Sequence, residues 1–296
     1  VPKIWDKTDW GRDVGHEFTG IAADEVSDCG QRIVIAQTVR FGDMLFLGDP
    51  NGDLSPQFAW ADEYKYHQAL VWIPFLYHDN PEEVHIYGGG DLLAAWRATL
   101  GKSVRRVRVL DWDLEVKHLA LEHMAWVQRL GVHQNPNVDS SREVDVREHL
   151  KDPNVPQVPI IIWDLTDIGL ISDFTPNALD LLYAKLAEGG IAAIQGGEYS
   201  DNKVPLAQIL ANYRALRERF ATVLIGHTYI GSFNYEICIF YAFKGRGISP
   251  MRPALKELNE RIRMDEDRTF LTPRIHNRLF IHDPSIEMAL CGAGLR

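Results

Sequence analysis

The chain changes rhythm near residue 61. Before it run short alternating stretches, among them QRIVIAQTV (31–39) and DMLFLGD (43–49), separated by Arg40, Phe41 and Gly42. Alternation broken by a short turn predicts a β-hairpin, and the whole of 1–61 reads as a small β-rich domain. From residue 62 onward, apolar runs of strand length alternate with stretches of helical period. DEYKYHQALVWIPFLY (62–77) predicts a helix with Asp62 at its start, which Pro74 should end or kink. VHIY (84–87) then reads as a strand, GGGD (88–91) as a tight glycine turn and LLAAWRATLG (92–101) as a helix stopping at Gly101. RVRVLDWD (106–113) predicts a strand ending in acids, followed by one long helix from Leu114 to Leu130.

Further strands are expected at Val144–Val146, Pro159–Trp163, Gly190–Ile194, Ala221–Gly226 and Tyr235–Phe243, with helices near 176–188 and 205–219. Strands alternating with helices predict an α/β fold, a doubly wound and mostly parallel sheet spanning 62–296. The last two strands, joined by GHTYIGSFN (226–234) without a helix, are expected to form an antiparallel pair at one edge, and 250–296 a helical tail.

Charge narrows the partners. The 296 residues carry 31 Lys+Arg against 41 Asp+Glu, a net charge of −10, with no basic block. A nucleic-acid binder needs a basic face to displace counterions, and an anionic membrane surface asks the same, so both are argued against. No apolar run reaches the roughly 18–20 residues that span a bilayer, and VPKIWDKTDWGRD lacks a signal-peptide core, so a cytoplasmic setting is expected. Cys29, Cys238 and Cys291 are too few and too scattered for a disulfide framework or a zinc motif.

In an open α/β sheet the ligand lies beyond the carboxyl ends of the strands, and there the acids gather. Asp91 follows the first strand, Asp111 and Asp113 the second, Asp145 the next, and Asp164 and Asp167 follow IIIW. Six carboxylates on one rim without nearby basic partners ask for a cationic ligand. The glycines of GGGD would let backbone approach it closely, and an acid about 20 residues on suits ribose hydroxyls. Read more plainly, the same glycines satisfy a turn, and Asp111 and Asp113 cap the helix that follows. Because GGGDLL lacks the G-x-G-x-x-G spacing, a dinucleotide dehydrogenase is the weaker reading.

The blocks GQRIVI (30–35), FGDMLFLGD (41–49), Gln57, DEYKYHQAL (62–70), PFLYHDNPEEVHIYGGGD (74–91) and LDWD (110–113) resemble the spermidine synthase family of polyamine aminopropyltransferases. VDVREHL (144–150), IIIWDLTD (160–167), GGIAAIQGGE (189–198), ICIFYAFK (237–244) and TFLTPRIHNRLF (269–280) continue the likeness, over roughly residues 27–283. The resemblance implies a small N-terminal β domain on a Rossmann-like methyltransferase fold, a homodimer or homotetramer, and aminopropyl transfer from decarboxylated S-adenosylmethionine to an amine. It further implies that Gln31, His67 and Asp91 contact the propylamine end of the donor, with the Gly88, Gly89 and Gly90 loop beside it, Asp111 the ribose and Asp145 the adenine amino group. Tyr66, Asp167, Gln195 and Tyr229 would hold the amine acceptor, with Asp164 as base and no metal.

Departures from the family pattern carry expectations of their own. Leu92 stands where GGGDG has its last glycine, which should alter the cofactor pocket. Asp111 replaces a glutamate, and Gln68 replaces the acid of Y-H-E. The covering segment DLTDIGLI (164–171) lacks the family's two prolines, so its shape should differ. Two other readings therefore stand beside aminopropyl transfer: methyl or 3-amino-3-carboxypropyl transfer from S-adenosylmethionine itself, and a catalytically silent paralogue that regulates a partner.

Overall fold

The computed structural model describes residues 3–7, 13–165, 174–245, 255–263 and 269–294. Two sheets organise it. The first is antiparallel and five-stranded in chain order: β1 (Lys3–Lys7), β2 (Asp13–Val26), β3 (Arg32–Thr38), β4 (Gly42–Gly48) and β5 (Leu54–Ala59). The expected hairpin is β3 and β4, paired from Arg32 opposite Gly48 to Thr38 opposite Gly42.

The second sheet has seven strands: β6 (Glu83–Gly88), β7 (Arg106–Leu110), β8 (Val138–Asp139), β9 (Val158–Asp164), β10 (Leu186–Glu198), β11 (Thr222–Ile230) and β12 (Tyr235–Phe243). Their spatial order is β11-β12-β10-β9-β6-β7-β8, with β12 antiparallel to both neighbours at one end and the rest parallel. β7 and β9 flank β6 on opposite sides, so the chain reverses its winding there, and a crevice opens beyond the strands' carboxyl ends.

Helix α1 (Glu63–Tyr77) lies buried on nearly every side, and most of its apolar residues join the largest core cluster with β6, β9 and β10. Such a helix must find partners for its polar side chains inside the protein. Gln68 accepts backbone N–H groups of Phe270 (2.8 Å) and Leu271 (2.9 Å), tying the chain's last part to this helix. Pro74 does not end α1, which runs to Tyr77 and closes where the His78 N–H reaches the Pro74 carbonyl at 3.0 Å. A proline this late loses one bond with only three helical residues to follow.

Two further expectations are corrected. The single helix from Leu114 to Leu130 is two, α3 (Leu114–His123) and α4 (Ala125–Arg129), broken at Met124 with φ −111° and ψ 84°. Met124, Trp126 and Val127 bury together with Ile33, Leu45 and Phe58 of the first sheet, and that packing sets the break, since neither glycine nor proline marks it. Val144–Val146 is not a strand. Asp145 caps α5 (Val146–Lys151), accepting the Arg147 N–H at 2.9 Å.

Leu92 also departs from expectation. It has φ +69°, the left-handed region that suits glycine, just before α2 (Leu93–Thr99). That conformation costs about 1–2 kcal/mol for an L-residue. The side chain is 1% exposed in the core, and burying a leucine is worth about 1.5–3 kcal/mol, which offsets the strain. Leu92 does not line the cavity described below. The remaining helices are α6 (Ala178–Lys185), α7 (Lys203–Arg217), α8 (Leu255–Arg261), α9 (Pro273–Leu279) and α10 (Pro284–Gly292). No helix among the described residues is long and apolar enough to cross a membrane.

Candidate active site

Strand register assembles the site. In the parallel ladders Gly88 pairs with Asp164, Tyr87 with Leu110, and Ile194 with Trp163. The residues that follow these pairs therefore emerge side by side. They floor a cavity of about 840 Å³ whose opposite wall comes from the turn before β3, from β4 and β5 of the first sheet, and from the turn that joins those two strands. A volume of that size suits a nucleoside-bearing ligand together with a small second one.

The glycine loop is shaped by its neighbours. A Cβ on Gly88 would fall 2.1 Å from the Asp164 carbonyl oxygen, and one on Gly90 would fall 2.8 Å from Asp111 Oδ2. Gly88 and Gly89 have φ +83° and +71°. Glycine is thus required both for the turn and for close passage past the two acids.

Asp164 is half-buried and accepts the Tyr66 hydroxyl at 2.5 Å. Burial raises its pKa, opposed by His67 and by the Tyr66 hydrogen bond. Asp91 accepts the Leu93 N–H at 2.7 Å, and burial pushes its pKa up to about 6, with His67 opposing and Asp164 adding to the rise. Burial likewise raises Asp111, against backbone N–H groups of Asp113, Gly90 and Trp112 that favour its charged form. Carboxylates whose charged form is disfavoured by burial gain from an incoming cation.

His67 is buried, its Nδ1 3.0 Å from the Glu63 carbonyl and 3.1 Å from Glu63 Oε2. The other oxygen of Glu63 accepts Arg97 Nη2 at 2.7 Å, and both partners of that ion pair are fully buried. The sequence reading did not single out Glu63 or Arg97. Glu63, the one acid on a helix that turns fully apolar after Gln68, was the available signal.

Of the residues singled out in the sequence, Gln31, Tyr66, His67, Gly88, Gly89, Gly90, Asp91, Asp111, Asp164 and Gln195 all line the cavity. The six expected carboxylates do not all converge. Asp113 is the cap of α3, accepting the Glu115 N–H at 3.0 Å and the Ser27 hydroxyl at 2.6 Å. Asp145 does not line the cavity; Arg147 holds its carboxylate through Nη2 at 2.8 Å. Tyr229 stands on β11, 46% exposed and bonded to Asn234 at 3.2 Å, away from the cavity lining. Asp167 and most of the segment 164–171 lie outside the described residues. Three further acids, Asp49, Asp53 and Glu198, line the cavity instead, as do Phe233 and Tyr235. Among the described residues, no group of three or more His, Cys, Asp or Glu is placed to hold a metal ion.

The spermine/spermidine synthase domain matches residues 63–246. The polyamine aminopropyltransferase 2 of Pseudomonas aeruginosa is 34% identical over 203 residues, covering 67% of this chain and about half, 54%, of that protein. The polyamine aminopropyltransferase of Korarchaeum cryptofilum is 26% identical over 279 residues, covering 91% and 81%. Among solved structures, the spermidine synthase of Thermotoga maritima superposes with a TM-score of 0.79 at 18% identity, covering 99% of this chain and 95% of that one. A spermidine synthase in complex with the transition-state analogue AdoDATO gives 0.80 at 17%, covering 100% and 96%. At those identities the two structures speak to the fold, while the domain match takes in the whole glycine-loop and acid framework from α1 to β12. This chain belongs to the spermine/spermidine synthase family of polyamine aminopropyltransferases.

Proposed function

We propose that this protein transfers an aminopropyl group from decarboxylated S-adenosylmethionine to a diamine or polyamine, releasing methylthioadenosine. The charge of the cavity carries the reading. Asp49, Asp53, Asp91, Asp111, Asp164 and Glu198 line it, and no Lys or Arg is found among the described lining residues. The decarboxylated donor brings a sulfonium and an ammonium and no carboxylate. The extra carboxylate of S-adenosylmethionine would meet a lining whose six acids outnumber the one histidine, His67, which disfavours methyl and 3-amino-3-carboxypropyl transfer.

In this reading Gln31, His67 and Asp91 face the donor's amine end, the Gly88–Gly90 backbone passes beneath it and Asp111 takes the ribose hydroxyls, while Asp145 and Tyr229, which stand outside the cavity lining, have no assigned contact. Tyr66, Gln195 and Asp167 serve the acceptor, with Phe233 and Tyr235 offering aromatic faces to its cationic end. Homodimer or homotetramer assembly belongs to the same reading. A protonated amine has no lone pair, so Asp164 takes its proton. The freed nitrogen then attacks the methylene beside the sulfonium. The carbon–sulfur bond breaks with its electron pair going to sulfur, a neutral thioether leaves, and the product amine carries the new propylamine arm. Holding nitrogen and carbon in line supplies much of the rate enhancement.

Calorimetric titration with each donor tests the reading. The decarboxylated form should bind at least about tenfold more tightly, about 1.4 kcal/mol. Its affinity should fall as pH drops below about 6, because Asp91 is then protonated and no longer pairs with the donor's ammonium. Equal affinity for both donors, or tighter binding of the intact one, would overturn it.

A further inference from the structure

We propose that Glu63 and Arg97 are positioning residues that hold His67 as an imidazolium, whose charge keeps Asp91 and Asp164 ionised together in the free enzyme. The argument begins at His67 Nδ1. Both groups within reach of it, the Glu63 carbonyl at 3.0 Å and Glu63 Oε2 at 3.1 Å, are acceptors, so Nδ1 carries a hydrogen. A neutral ring would then carry only a lone pair at Nε2, repelled by Asp91 and Asp164, which line the same cavity as His67 and act on it electrostatically. A proton on Nε2 turns that repulsion into attraction.

Arg97 secures the other end of the relay. Its guanidinium is 2.7 Å from Glu63 Oε1 and lies 3.9 Å over the Trp96 ring and 5.6 Å from that of Trp72, so Glu63 is kept ionised and fixed in aim. The charged or titratable groups around His67 are thus Glu63 and Tyr66 on α1, Arg97 on α2, Asp91 on the glycine loop and Asp164 on β9. Burial opposes charge on His67, but Glu63, Asp91 and Asp164 outweigh it and raise its pKa. In return His67 works against the burial that raises Asp91 and Asp164. Two neighbouring carboxylates partly shut off from water would otherwise share a proton, and Asp164 could not serve as base.

The proposal deepens the aminopropyl-transfer reading, yet its first test does not depend on turnover. Nitrogen-15 NMR of the imidazoles in the ligand-free protein, followed from about pH 5 to about pH 9, reads the state of His67 directly. In the wild type its resonances should show an imidazolium at neutral pH. Glu63→Gln keeps the shape and the acceptor but loses the charge, and His67 should titrate about one pH unit lower or more. Glu63→Asp, which restores the charge, should recover part of that shift. The acid limb of the kcat/KM profile should move to higher pH in Glu63→Gln, because Asp91 and Asp164 then bind protons more readily. A neutral His67 in the wild type at pH 7 overturns the proposal whether or not any variant folds. So does an unchanged titration in a folded Glu63→Gln. An imidazolium found in a protein that transfers no aminopropyl group would sustain this proposal while removing the functional one.

Discussion

Asp164→Asn is expected to lose about 10²–10⁴-fold in kcat while keeping its fold and its donor. The substitution exchanges one carboxylate oxygen for an amide nitrogen of nearly equal size. Its remaining oxygen can still accept the Tyr66 hydroxyl, now 2.5 Å from Asp164 Oδ1, so the packing between α1 and β9 is preserved. What disappears is the capacity to take a proton from the acceptor amine. Donor affinity should change little by calorimetry, since Asp91 and Asp111 are assigned that task, and the melting temperature should stay close to wild type. Turnover near the wild-type value would remove Asp164 from the role of base.

The second large effect concerns backbone. Gly88→Ala should destabilise the protein by about 2–5 kcal/mol, the sum of left-handed backbone strain and overpacking. The added methyl would lie 2.1 Å from the Asp164 carbonyl oxygen, and φ is +83°. Because β6 and β9 are paired at this point, relief requires the strands to part or the loop to move, and either displaces Asp164. Gly131→Ala is the matched control. There φ is +67° with no atom within 4 Å of the added carbon, so only the backbone strain remains, about 1–2 kcal/mol. Thermal or denaturant unfolding of the two variants separates the terms. Equal losses would mean that contact with Asp164 is not what demands glycine at position 88.

Much of the fold and site was legible because the signals were local. Alternation announced β3 and β4, apolar runs announced β6, β9 and β12, and glycine followed by acid marked the loop beyond β6. Register then did what sequence position could only hint at, setting Asp164 opposite Gly88 and Asp111 against Gly90. The misses have physical causes. Nothing in the sequence marks the break at Met124, since packing against the first sheet imposes it. Asp145 with Glu148 three positions later is the spacing of a helix start, and it was read as strand because of the valines around it. Phe233 and Tyr235 rather than Tyr229 reach the cavity, a question of how β11 and β12 turn into each other. Gln68, an apparent loss of an acid, serves backbone groups some 202 residues away, and no local pattern records that partnership.

Asp164, Asp91 and the acid-lined cavity make one central claim, that the transferred group is aminopropyl and its donor is decarboxylated. The most direct measurement is a turnover assay read by mass spectrometry, offering decarboxylated S-adenosylmethionine and S-adenosylmethionine separately against diamines, longer polyamines and amino acids. The account predicts methylthioadenosine from the decarboxylated donor together with an acceptor heavier by one aminopropyl group. Methylthioadenosine from the intact donor with aminocarboxypropyl added, S-adenosylhomocysteine with a methylated product, or no product from either donor would contradict it.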